Sequence, residues 1–163
     1  MEAIRADAGI FIQAPVEQVW EVLTCFETWP QWARHVREVR KQPQGWQFVV
    51  QRVSLMDQVW VARHISIQSL GRLVWESIPQ AQHNAQTQGW IQLEPTVGGT
   101  HLQMHLEAGP DFPSRLLNQF ANLWTALFTE PEKHLGGFLQ DLKRHVETVT
   151  VPVLELAHPA EAA

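Results

Sequence analysis

Few residues in this 163-residue chain have the type and spacing to do chemistry. Arg63 and His64 stand side by side, one a fixed cation that can anchor an anionic head, the other an imidazole that titrates near neutral pH. His101 and His105 share one side of an alternating stretch, Thr100 to Ala108. On a strand that spacing separates two side chains by about 13 Å, too far for one metal ion. The other histidines are scattered among the eight in the chain, so no metal site is expected. Cys25 is the single cysteine, which excludes an internal disulfide and a thiolate cage, and it reads as a packed small side chain rather than a nucleophile. Tyr is absent, so no phenol can donate a proton. Catalytic residues stay unassigned, and no cofactor is implied.

The residues that could hold a ligand are aromatic. Eight Trp and seven Phe are present, and Trp29 and Trp32 bracket Pro30 where a helix should end. Hydrophobic content of 45% and charged content of 18% describe an ordinary globular protein of one domain. No 18-residue apolar run or signal pattern appears, so stable membrane insertion is not expected and a cytoplasmic location is. A net charge of −5 and a pI of about 5.9, with no basic cluster longer than Arg37 to Lys41, argue against nucleic acid.

The elements that must position these residues follow from periodicity. Ile4 to Ile12 alternates as a half-buried strand, and Val16, Val19, Trp20, Leu23 and Phe26 recur as an amphipathic helix behind Pro15. Six further strands are read at Val36–Lys41, Gly45–Leu55, Gln58–Ser69, Arg72–Ile78, Ala85–Glu94 and Thr100–Ala108. Their short connections predict an antiparallel meander. From Pro113 the period becomes helical, with Pro131 expected to kink or break the helix near Thr129. The domain is placed at 1–149 and a flexible tail at 150–163. A sheet of this order curls around its last helix, leaving a hollow wherever the helix does not fill the curve.

Several stretches resemble the START-like superfamily, also called SRPBCC or helix-grip, and within it the polyketide cyclase/dehydrase and coenzyme Q-binding-type proteins. They are Ala14-Pro15-Val16-Glu17-Gln18-Val19-Trp20, Phe26 to Trp32, Trp75-Glu76-Ser77, Gly89 to Pro95 with Gly98-Gly99-Thr100, and Leu142 to Glu147. The resemblance covers about Ile10 to Glu147. It implies an α+β helix-grip fold: a curved seven-stranded antiparallel sheet around a long C-terminal helix, with one or two short helices between strands 1 and 2. It also implies that the segment after the first helix lies over one mouth of a cavity, making Trp29 and Trp32 rim residues. The alternative is that they cap the core.

In the fourth strand Val59, Val61, Arg63, Ile65 and Ile67 form the more apolar face, which favours Arg63 pointing inward as an anchor. An ungapped match to the cyclases favours the opposite parity, turning Trp60, His64 and Ser66 inward, and one bulge between Met56 and Trp60 decides between them. Trp75, Ile91, Leu93, Leu102 and Met104 would line the cavity, faced by Phe120, Leu123, Trp124 and Leu127 of the long helix. For most of these, plain core is the competing role. Three functions are consistent with this. The chain is a carrier or sequestering protein for a hydrophobic small molecule such as a lipid, an isoprenoid or quinone, or an aromatic polyketide. Alternatively it is a cyclase, aromatase or dehydratase acting on a poly-ketone chain. The third is a protein-interaction module. A monomer or homodimer is expected in each case.

Overall fold

The computed structural model describes residues 4–50, 58–78, 85–110 and 131–162. Strand β1 (Ile4–Ile12) buries Ala6 and Ile12 while Arg5, Asp7 and Phe11 face water, the two-residue period of a half-buried strand. Helix α1 (Val16–Thr24) follows Pro15 and buries Val19, Trp20 and Leu23 along one stripe. It ends where the Thr24 hydroxyl donates to the Trp20 carbonyl at 2.8 Å, offering the backbone an alternative partner. A 3-10 turn (Phe26–Thr28) passes into the single-turn helix α2 (Trp29–Trp32), with Pro30 in its first turn.

The meander then runs β2 (Val36–Gln42), β3 (Gly45–Val50), β4 (Gln58–Ile67), β5 (Arg72–Ser77), β6 (Ala85–Thr96) and β7 (Gly99–Pro110). A 3-10 turn (Gln68–Leu70) links β4 to β5 and closes on Gly71 at φ 61°, a left-handed conformation that suits glycine. The chain returns through β1, which pairs antiparallel with β7 from Ile4↔Ala108 to Ile12↔Thr100. The resulting seven-stranded sheet has the order β1-β7-β6-β5-β4-β3-β2, every neighbouring pair antiparallel.

Helix α3 (Pro131–Ala162) lies against the concave face. Leu135, Leu139, Leu142 and Val146, at three- and four-residue spacing, meet Ile12, Leu73, Ile91, Leu93, Leu102 and Met104 in one core. Each such side chain stabilises the fold by about 1.5–3 kcal/mol on burial. Polar ties fix the helix to β1: Lys143 Nζ donates to the Phe11 carbonyl at 2.7 Å, and Glu147 accepts from the Gln13 amide at 2.9 Å. A curled antiparallel sheet gripping a C-terminal helix, with α1 and α2 between the first two strands, is the helix-grip arrangement.

The described part of the long helix begins at Pro131. The expected kink near Thr129 lies outside the described residues. Helical backbone continues through 150–162, the segment that composition sets apart as a tail.

Candidate functional site

The register of β4 decides which polar group faces the helix. His64 pairs with Trp75 of β5, and Trp75 with Gly89 of β6, so these three share the concave face. Arg63 pairs with Glu76 on the convex face, where the two side chains form an ion pair and are 59% and 53% exposed. The expectation that Arg63 points inward is therefore corrected: its guanidinium stays in water with a carboxylate partner, avoiding the cost of a buried unpaired charge. Ile65, on the same face as Arg63, is 46% exposed, although Val61 further along that face is buried. The bulge considered between Met56 and Trp60 falls partly at 51–57, outside the described residues.

His64 sits in a nest of rings. Its centroid is 4.2 Å from that of Phe26, 5.3 Å from Phe48 and 6.5 Å from Trp75, the last nearly parallel. Burial disfavours the imidazolium and pushes the His64 pKa down to about 4, while a hydrogen bond with the Ala62 backbone works weakly in the other direction. The ring is thus neutral at physiological pH. Its buried Nδ1 has no hydrogen-bond partner among the described residues.

Beside this nest the concave face is lined by small residues. Ala62 pairs with Ser77, Ser77 meets Thr87, and Thr87 pairs with Ala108, giving a cross-strand row with no bulky side chain. The Ser77 hydroxyl accepts from the Thr87 amide at 2.7 Å and donates to the Thr87 carbonyl at 3.0 Å. Gly89 sits beneath the Trp75 indole: a Cβ there would lie 2.9 Å from the ring and 2.1 Å from the His105 carbonyl oxygen. The glycine lets the large ring lie flat on the sheet. Sequence reasoning missed Phe26, Phe48 and the small row as parts of this face; the alternation of Ser77 with Trp75, and of Thr87 with Gly89 and Ile91, carried that signal.

Trp29 and Trp32 are both nearly buried. Trp29 packs on Phe26, Phe48 and Phe138, and its Nε1 donates to the Leu23 carbonyl at 3.1 Å. Trp32 lies against Phe138 and stacks on His145 at 6.0 Å, and its buried Nε1 has no hydrogen-bond partner among the described residues. A latch holds this segment down: Asp141 of α3 accepts from the Arg34 amide at 3.1 Å and from its guanidinium at 3.0 and 3.3 Å. Asp141 is buried and Arg34 is exposed, so the carboxylate depends on that arginine.

Ile91, Leu93, Leu102 and Met104 face the helix as core residues, and Trp75 lies on the concave face with them. Phe120, Leu123, Trp124 and Leu127 lie outside the described residues. His101 and His105 lie on the convex side, where His105 bonds Asp7 at 2.7 Å and stacks on Trp90. The Asp7 carboxylate, ahead of its neighbours' smaller contributions, raises the pKa of His105. Among the described residues no three His, Cys, Asp or Glu side chains come together as a metal site, and no helix is long and apolar enough to cross a membrane. Cys25 is exposed at the end of α1, which corrects its reading as a packed small side chain.

A family model described as polyketide cyclase/dehydrase and lipid transport matches residues 3–147. No curated protein matches the sequence significantly. Among solved structures, TTHA0849 from Thermus thermophilus superposes with a TM-score of 0.70 at 15% identity, over 90% of this chain and 99% of that one. The Zhui aromatase/cyclase from Streptomyces sp. R1128 gives 0.70 at 12% identity, over 89% and 94%. A START superfamily protein from Mycobacterium smegmatis gives 0.63 at 15%, over 89% and 98%. At such identities the likeness is one of fold.

Proposed function

The chain belongs to the polyketide cyclase/dehydrase and lipid transport family, and from that premise we propose that it holds a hydrophobic small molecule between the concave face and the long helix, as a carrier or sequestering protein. The ligand is a lipid, an isoprenoid or quinone, or an aromatic polyketide. The observation that carries this reading is His64: a neutral imidazole walled by Phe26, Phe48 and Trp75, with a buried Nδ1 that the described fold leaves without a partner. A buried polar atom without a partner costs about 1–3 kcal/mol, which a ligand hydroxyl, enol or carbonyl group recovers. The adjoining row of Ala62, Ser77, Thr87 and Ala108 supports space for such a molecule, and apolar walls with few orienting polar groups are what small-molecule sites present. In this reading His64, not Arg63, is the polar anchor. Trp75 is the flat wall, and Trp29 and Trp32 form the inner side of the cover.

The same histidine favours a second reading, a cyclase, aromatase or dehydratase acting on a poly-ketone. A neutral imidazole can accept a proton from an enolising carbon, and a pKa of about 4 makes it a weak base that depends on orientation more than on basicity. Native mass spectrometry of protein isolated from its own host distinguishes the two. A co-purifying lipophilic molecule that His64→Phe releases supports the carrier. Turnover of a synthetic poly-ketone, lost in the same variant, supports the enzyme. A bound polypeptide in place of either defeats both.

A further inference from the structure

We propose that the molecule held on the concave face carries an anionic group, a carboxylate, sulfonate or phosphate, at one end of its apolar body, and that Lys41 pairs with that group. This rests on the reading of the concave face given above and assigns the chemistry of one end of its ligand.

Residues directly opposite one another on neighbouring strands share a face, so the register sorts the sheet's charges. Arg5 stands opposite Glu107, Arg40 opposite Gln47, Arg63 opposite Glu76 and Arg72 opposite Gln92, all on the convex side. Arg37 sits at the bulge of β2, outside the register. Lys41 takes the concave side: it stands opposite Trp46, Trp46 opposite Ala62, and Ala62 opposite Ser77. It therefore ends the cross-strand row that continues into the small floor of Ser77, Thr87 and Ala108. The carboxylates are on the other side. Asp7, Glu38, Glu76, Glu94 and Glu107 all occupy convex positions, so no described strand places an acidic side chain on the concave face with Lys41.

The Lys41 ammonium has an aromatic neighbour in place of a carboxylate. Its Nζ lies 6.0 Å from the Trp46 ring centroid, at the outer limit of a cation–π contact. Trp46 meets Phe26 edge-on at 5.5 Å, and Phe26 lies 4.2 Å from His64. One aromatic wall thus runs from a cation at the rim to the unpartnered His64 Nδ1 inside. Lys41 is exposed, so its charge stays hydrated without a partner. A molecule that lies along this wall and ends in an anion gains a charge pair at the rim that a neutral molecule of the same shape does not. The two ends ask for different groups: an anion at Lys41, and a neutral oxygen at His64. Lysine on an edge strand such as β2 also discourages pairing between sheets, but that role is indifferent to the charge of a ligand.

The test uses two probes that share one aromatic body, anilinonaphthalene sulfonate and its uncharged counterpart phenylnaphthylamine, titrated by fluorescence into the full chain. Lys41→Gln weakens binding of the sulfonate about fivefold, the upper end for a water-exposed charge pair, and leaves the amine unchanged. Lys41→Arg keeps the parent affinity for both, and raising the salt concentration weakens only the sulfonate. A glutamine variant that binds the sulfonate like the parent, or that loses both probes equally, overturns the proposal and leaves the reading of the concave face standing. A parent that binds neither probe defeats that reading and the proposal with it.

Discussion

His64 and Arg63 are neighbours in sequence with opposite fates, and they predict opposite behaviour. In the folded protein His64 stays neutral down to about pH 4, whereas in the unfolded chain it protonates near 6.5. Between these values the unfolded state binds the extra proton, so this contribution to stability is complete above pH 6.5 and is lost as the pH falls toward 4. The loss amounts to as much as about 3 kcal/mol. Urea midpoints measured across that window should fall for the parent and hold level for His64→Phe relative to it; parallel curves would show that the imidazole is not desolvated. Glu147 behaves in the same sense at lower pH. Desolvation opposes its ionisation, but hydrogen bonds from Lys143 and the Gln13 amide outweigh that and lower its pKa, so its contribution is lost as pH falls through the lowered value. Arg63→Ala, by contrast, removes a water-exposed ion pair and should change stability by no more than about 1 kcal/mol, with no effect on ligand retention.

Among the elements, the strands and first helix were legible because each carries its own period, and the meander because its connections are short. The facing of β4 was not. Val61, Ile65 and Ile67 make its outward set look like a core face, and Ile65 pairs with Val74, which pairs with Trp90, so the convex side carries an apolar row of its own. Hydrophobic count alone cannot tell two such faces apart. Pairing can: Arg63 opposite Glu76, and Glu107 opposite both Gln88 and Arg5, place charged and polar side chains together on the wet side. Two substitutions test these placements. Gly89→Ala forces a Cβ into the His105 carbonyl and the Trp75 ring and should destabilise by about 1–3 kcal/mol or more. Arg34→Ala leaves the buried Asp141 carboxylate without its guanidinium and should cost about 2–3 kcal/mol, discounted from a fully buried pair because Arg34 faces water. Thermal melts that match the parent would contradict either placement.

At the scale of the molecule, β1 closes the sheet by pairing with β7 almost a hundred residues away, and α3 is tied to the end of that strand through Lys143 and Glu147. The family match ends at 147, so removing 150–163 should leave the melting temperature essentially unchanged; a substantial drop would bring that segment into the domain. The element order together with the resemblance of its motifs placed the chain in its fold, while the site's chemistry needed the register that brings Phe26, Phe48 and Trp75 around one imidazole. The central claim is that this nest is completed by a greasy guest. A crystal structure of protein taken from its native host measures it directly. The account predicts density for a lipophilic molecule beside Trp75, with an oxygen within hydrogen-bond distance of His64 Nδ1. Protein side chains packed solidly against that ring, with Nδ1 bonded to one of them, would contradict it.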